Sequence, residues 1–164
     1  MRTERRVVAF IGPPHSGKST ILYHIYSTLR RRHVRFFLQR ACPDGEGIWT
    51  AETPGGRDIA RQHKRAVSQF FSDFFVQFQV NSIKQLAKTF QLVLVDTGGK
   101  MSDQNRWILA VCSHYVLLVS SSYPASVRRE WEEFAESCGL KKLAVFTTTP
   151  ENLSEVAERI LKLL

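Results

Sequence analysis

The sequence predicts an α/β fold, a doubly wound and mainly parallel five-stranded sheet with helices on both faces. Three observations lead there. Short runs that are apolar throughout, rather than alternating, recur along the chain, as strands buried on both faces require. Longer stretches between them carry apolar residues at helical spacing. The two kinds of segment alternate, the pattern of parallel strands joined by crossover helices.

Taken in order, Arg6–Ile11 is the first strand and ends at Gly12. Lys18–Arg32 is the first helix: Ile21, Leu22, Ile25, Tyr26 and Leu29 share one face, and Arg30, Arg31 and Arg32 sit at the negative end of its dipole. Val34–Leu38 is a second strand, and Arg40–Arg57, rich in Gly, Pro and acids, is a loop. The helical pattern from Asp58 to Phe90 is longer than an average helix, and Asn81-Ser82 offers a capping signal. Two helices, or one with a kink, are expected there. Gln91–Val95 is the third strand and runs into Asp96-Thr97-Gly98-Gly99. Tyr115–Val119 is the fourth, followed by a helix over Pro124–Cys138 that stops at Gly139. Leu143–Phe146 is the fifth, and Glu151–Leu164 the terminal helix. The stripe Phe70, Phe71, Phe74, Phe75 and Phe78 is expected to pack its helix onto the sheet, a membrane- or partner-binding face being the alternative.

Composition narrows the class. A chain of 164 residues, 43% hydrophobic with both charge signs present, suits one soluble globular domain over 1–164, without internal repeat or linker. No apolar run approaches the roughly 20 residues that span a bilayer, and none near the N-terminus resembles a secretory core. The three cysteines, Cys42, Cys112 and Cys138, are scattered without CxxC or Cys/His spacing, which argues for a reducing compartment and against a disulfide framework or zinc site. A cytoplasmic protein that is not membrane-bound is the expectation. The net charge of +8 fits either phosphorylated or nucleic-acid partners or a generally basic surface.

Gly12-Pro13-Pro14-His15-Ser16-Gly17-Lys18-Ser19 fits G-x-x-x-x-G-K-[ST] and stands between an expected strand and an expected helix, the context such a loop needs. Its glycines let the backbone wrap around a phosphate with N–H groups pointing inward. The helix that follows aims its positive end at the same anion. In this arrangement Lys18 reaches the β- and γ-phosphates, Ser19 offers a hydroxyl to magnesium, and Thr20 lies near the α-phosphate. His15 is either a spacer or a catalytic group.

These residues resemble the P-loop NTPase superfamily, across most of the chain. The resemblance implies a nucleoside triphosphate and Mg²⁺ as ligands, with Asp96 at the strand end in the metal-holding position. Asp96-Thr97-Gly98-Gly99 also fits D-x-x-G, in which the N–H of Gly99 senses the γ-phosphate. No Glu follows Asp96, so the water-activating carboxylate of many motor ATPases is not in its usual place. No N-K-x-D follows the later strands: Val119-Ser120-Ser121-Ser122 and Thr147-Thr148-Thr149 stand where guanine would be read, which favours ATP over GTP. Thr147–Asn152 occupies the position of a base pocket.

The loop from Arg40 to Glu52 should lie on the same rim as the phosphate loop. Asp44 or Glu46 is placed to accept a proton from an attacking hydroxyl or water. Trp49 offers a surface for stacking on a base, and Arg40, Arg57 and Arg61 offer cations for an anionic substrate. A structural turn with solvated acids remains the other reading. The run Cys42-Pro43-Asp44-Gly45-Glu46-Gly47-Ile48-Trp49 after a P-loop is similar to the NTPase domain found fused to a CRISPR-associated ring nuclease. That resemblance implies a setting in antiviral signalling, an adenine nucleotide, and an oligoadenylate substrate or a ring-nuclease partner. No nuclease module is visible here, so its activity does not carry over.

Lys100, Arg106, Arg128 and Arg129 are candidates for a cation on the γ-phosphate, and the sequence does not choose among them. Arg128-Arg129-Glu130-Trp131-Glu132-Glu133 reads equally as a solvated helix face with internal ion pairs. The Arg30–Arg35 cluster suits nucleic acid, but Phe36 and Phe37 beside it read as strand core. Two main functions stay open. One is a small kinase-like phosphotransferase moving the γ-phosphate of ATP to a hydroxyl acceptor such as a nucleotide or oligoadenylate. The other is an ATP-hydrolysing switch acting on a partner; a basic nucleic-acid-binding module is a third. A homo-oligomer that supplies an arginine in trans is compatible with each.

Overall fold

The structure, a computed structural model, describes residues 5–42, 58 and 73–164. Strands β1 (Arg6–Ile11), β2 (Phe36–Arg40), β3 (Leu92–Asp96), β4 (His114–Ser120) and β5 (Lys141–Thr148) alternate with helices α1 (Lys18–Arg31), α2 (Asp73–Thr89), α3 (Asp103–Leu109), α4 (Ala125–Ser137) and α5 (Leu153–Leu161). The five strands form one parallel sheet in the order β2-β3-β1-β4-β5. The doubly wound α/β fold expected from the sequence is present.

Because side chains alternate along a strand, each strand contributes to two cores. Val8 and Phe10 of β1, Leu92 and Leu94 of β3, and Val116 and Leu118 of β4 pack with Ile21, Leu22 and Ile25 of α1 and Val156 and Ile160 of α5. On the opposite face, Ala9, Ile11, Tyr115 and Leu117 meet Trp131 and Phe134 of α4. Val7, Val93 and Val95 there meet Val76 and Ile83 of α2 and Ile108 of α3. The continuous apolar runs arise from this double burial.

Several boundaries differ from the sequence expectation. β2 starts two residues later than Val34 and extends through Arg40, because Gln39 and Arg40 keep register with Val95 and Asp96 of β3. Arg40 therefore belongs to a strand and not to the loop. α2 runs unbroken through Asn81-Ser82. Ser82 there donates its hydroxyl to Gln39 Oε1 at 3.5 Å instead of capping a helix.

The Phe stripe divides within the described residues: Phe75 is half-buried, whereas Phe74 is 82% and Phe78 61% exposed, contrary to the expected packing. Val76, Gln79 and Ile83 form the buried face instead. The amide of the buried Gln79 accepts a hydrogen bond from Gln39 of β2, which satisfies this polar group on the inward face while Phe74 and Phe78 face outward. Phe70 and Phe71 lie outside the described residues. α3 was not anticipated; Ser102 caps it, accepting from the N–H of Asn105 at 3.2 Å. Its seven residues are too few to show a clear helical period.

Candidate functional site

Parallel strands deliver every strand-to-helix loop to one rim, at their carboxyl ends. Residues 12–17 leave β1 there and enter α1 directly. Gly12 has φ 142°, and a β-carbon on it would stand 2.0 Å from the Leu118 carbonyl oxygen of β4. Gly17, at φ 78°, is the N-cap of α1 in a left-handed conformation that supplies no side-chain cap. A β-carbon there would meet Leu153 Cδ2 at 2.6 Å. Both glycines are thus fixed by neighbours as well as by backbone angle. His15, exposed at φ 60°, completes the turn.

The loop is braced from outside by hydrogen bonds to its own backbone and to one buried hydroxyl. Tyr123 Oη donates to the Pro14 carbonyl at 2.8 Å, and Thr148 Oγ1 to the Ser16 carbonyl at 2.9 Å. The Ser120 N–H donates to Ser16 Oγ at 3.1 Å. The Ser16 hydroxyl therefore serves β4, which leaves its backbone as the part suited to a phosphate. Lys18 Nζ donates to the Gly12 carbonyl at 2.8 Å, folded across the loop it would serve. Ser19 is half-buried and Thr20 exposed on the first turn of α1, next to the loop by covalent connection.

Asp96 ends β3, the strand paired with β1, in register with Phe10. It is 3% exposed and accepts from Arg40 Nη1 at 2.8 Å. The partner is set by register, since Arg40 stands opposite Asp96 on β2. Thr97 Oγ1 donates to the Phe10 carbonyl at 2.8 Å and ties the turn after β3 to the root of the phosphate loop. Gly99 then touches the loop itself: a β-carbon there would lie 3.0 Å from Pro14. Asn105 of α3 holds this turn, donating to the carbonyls of Gly98 (3.3 Å) and Lys100 (2.7 Å).

The structure thus brings together Gly12, Pro13, Pro14, His15, Ser16, Gly17, Lys18, Ser19, Thr20, Asp96 and Gly99, with Arg40 against Asp96. Asp44, Glu46, Trp49, Arg57 and Arg61 lie outside the described residues. Among the four candidate cations, Lys100 adjoins Gly99 and so the phosphate loop. Arg106 instead bonds Ser137 Oγ at 2.9 Å and stacks on Phe134, while Arg128 reaches Glu132 at 3.5 Å. Asn152 turns its side chain onto its own segment, accepting from the Thr149 N–H and donating to the Thr147 carbonyl. Sequence reasoning missed the bracing roles of Tyr123, Thr148 and Asn105, which no local pattern marks.

No protein-family model matches the chain, and a comparison with curated proteins finds no match. Solved structures do share its fold. The kinase domain of the Escherichia coli tyrosine kinase ETK superposes with a TM-score of 0.62 at 12% identity, covering 91% of this chain and 69% of that one. Cobyrinic acid a,c-diamide synthase from Mycobacterium smegmatis, with bound ATP analog and magnesium, gives 0.63 at 10% identity over 96% of this chain and 82% of that one. Shikimate kinase from Acinetobacter baumannii, in complex with shikimate, gives 0.53 at 16% identity over 98% and 93%. At 16% identity or less, these likenesses show a shared α/β fold.

Proposed function

We propose that the chain is an enzyme that binds ATP with Mg²⁺ at residues 12–20 and transfers the γ-phosphoryl group to a hydroxyl acceptor. The observation that carries this reading is the meeting of a braced, glycine-shaped phosphate loop with a buried carboxylate, Asp96, on the adjoining strand. Two of the structures that share the fold are named as kinases, and a third holds an ATP analog with magnesium. That supports the class of ligand.

The residues present fit the metal. Ser19 and Asp96 are hard oxygen donors, and a Mg²⁺ site of this kind takes one or two protein oxygens with substrate phosphates and water for the rest. When bound, the ion neutralises charge on the phosphates. The inward N–H groups of the loop orient the phosphate chain, and Lys18 places its ammonium on the β- and γ-oxygens after leaving the Gly12 carbonyl. The acceptor oxygen attacks the γ-phosphorus, the bond to the β–γ bridging oxygen breaks, and ADP departs. Asp44 takes the acceptor's proton. Arg40 holds the Asp96 carboxylate in place from the neighbouring strand.

Phosphorus NMR of ATP·Mg²⁺ with the protein, with and without oligoadenylate, tests this reading. A new phosphoester signal that needs the acceptor supports the transferase; Asp44→Asn should spare ATP binding and abolish the signal. Lys18→Ala should weaken ATP binding roughly 100-fold, the worth of a lost charge-assisted contact, with an unchanged circular dichroism spectrum. Unchanged ATP affinity in that variant sinks the assignment.

One observation favours a second reading, an ATP-hydrolysing switch. Gly99 of the D-x-x-G turn packs on Pro14, so a movement of the phosphate loop is passed to residues 97–100 and on to α3. Phosphate release indifferent to any acceptor would point there. The setting in CRISPR-linked antiviral signalling, with an oligoadenylate acceptor or a ring-nuclease partner, rests on the 42–49 run, of which Cys42 alone lies in the described residues. None of the solved structures named above is such a fusion. No described helix is long and apolar enough to cross a membrane.

A further inference from the structure

The opposite rim of the sheet, at the amino ends of the strands, concentrates positive charge. Arg30, Arg31, Arg32, His33 and Arg35 are all exposed, within six residues that contain no acid. Arg35 precedes the first residue of β2, and Arg5 precedes the first residue of β1. Since β3 lies between those strands, the two arginines are rooted about 10 Å apart across the sheet. Lys88 and Lys162 stand at the ends of α2 and α5 on the same rim, as shown by Arg5 Nη1 donating to the Ala87 carbonyl and Arg6 Nη1 to that of Leu163.

These cations are only partly explained by the fold. Arg30 and Arg31 favour the negative end of α1, and Arg5 covers an end carbonyl of α2. Among the described residues, however, no ion pair involves Arg5, Arg30, Arg31, Arg32 or Arg35. Among the described acids, the one that comes near is Glu158. It bonds His24 at 2.8 Å, and that bond, with Arg32 and Lys162 adding, holds its carboxyl below the usual range. One carboxylate already engaged with His24 does not neutralise the rim.

Aromatic rings are interleaved with the charges. The Arg35 guanidinium lies 5.6 Å over the Phe90 ring, and Phe90 is 5.4 Å from Phe37, which is 37% exposed on edge strand β2. Arg30 lies over Tyr26 in the same manner. The exposed Phe37, beside cations that form no ion pair among the described residues, combines the two elements that hold single-stranded nucleic acid: charge for the phosphates and a π-face for a base.

We propose that this rim binds single-stranded nucleic acid without sequence preference, at a surface separate from the phosphate loop. The strand's phosphates run along Arg30–Arg35 toward Arg5, and a base stacks on Phe37.

Fluorescence anisotropy of a labelled uridine homopolymer of about 20 nucleotides, titrated with the full chain across a range of salt, tests this. Arg30→Gln, Arg32→Gln and Arg35→Gln together keep the aliphatic stems while removing three charges. They should weaken binding by tenfold or more and flatten the log–log salt slope by about 2. Phe37→Ala should weaken it about tenfold with the slope unchanged. Lys18→Ala should bind the RNA as the parent does. The proposal is overturned if the parent does not bind, if the triple variant binds equally, or if Lys18→Ala abolishes binding, which would place the strand in the phosphate loop. Capture by vesicles of anionic lipid without RNA binding would assign the rim to a membrane surface and overturn it as well. Matching melting curves of parent and variants exclude loss of fold as the cause.

Discussion

At the carboxyl ends of the strands the polar groups are directed at one another: Arg40 at Asp96, Lys18 at Gly12, Tyr123 and Thr148 at loop carbonyls. At the amino ends, Arg30, Arg31, Arg32 and Arg35 are exposed and form no ion pair among the described residues. Both rims are polar and both suit anions, yet they are built differently. The first fixes a small number of groups at hydrogen-bond distance, as binding a ligand of defined shape and positioning a reacting atom require. The second sets long, rotatable cations on a fixed sheet, which suits an extended polyanion that need not be held in one geometry. The difference teaches that charge alone does not mark the proposed reaction site; the bracing around it does.

The contrast can be broken most severely at Gly12. Gly12→Ala drives a β-carbon onto the Leu118 carbonyl, so a loss of about 3 kcal/mol in denaturant unfolding is expected, together with loss of ATP binding. Arg40→Ala comes next. It removes the 2.8 Å partner of the buried Asp96 and should destabilise by about 3 kcal/mol without nucleotide. Saturating Mg²⁺·ATP should recover part of that loss in thermal melts, more than it adds to the parent; equal gains in both proteins would separate Arg40 from the metal site. Tyr123→Phe deletes one hydrogen bond to Pro14 and should cost about 1 kcal/mol, with a few-fold weaker ATP affinity by calorimetry. At the other rim, Arg32→Gln or Arg35→Gln should leave the unfolding free energy within about 0.5 kcal/mol of the parent's. A loss well beyond that would show the amino-end charges to be structural and erase the distinction.

Phe78 and Ile83 sharpen a related point within one helix. Ile83→Ala should cost about 3 kcal/mol, because it empties a fully buried site between α2 and the sheet. Phe78→Ser should cost little, since that ring is mostly exposed. The sequence suggests the reverse, because Phe is the more hydrophobic and the Phe residues keep helical spacing. What reverses it is Gln79, a buried amide that needs a partner and finds the half-buried Gln39 on β2. Neither glutamine announces the other from forty positions away.

The sequence by itself determined the strand runs, their parallel arrangement and the phosphate loop, because each depends on local chemistry. A strand buried on both faces must be apolar throughout, and a loop that passes under the Leu118 carbonyl must carry glycine at position 12. It also marked Asp96 and Gly99 by their place after an apolar run. Tertiary structure alone decided which side chains meet. Register set Arg40 against Asp96, packing brought Tyr123 and Thr148 onto the loop, and the meeting of Gln39 with Gln79 fixed which face of α2 is buried. These contacts join residues far apart in the chain, and no local period encodes a distance in space.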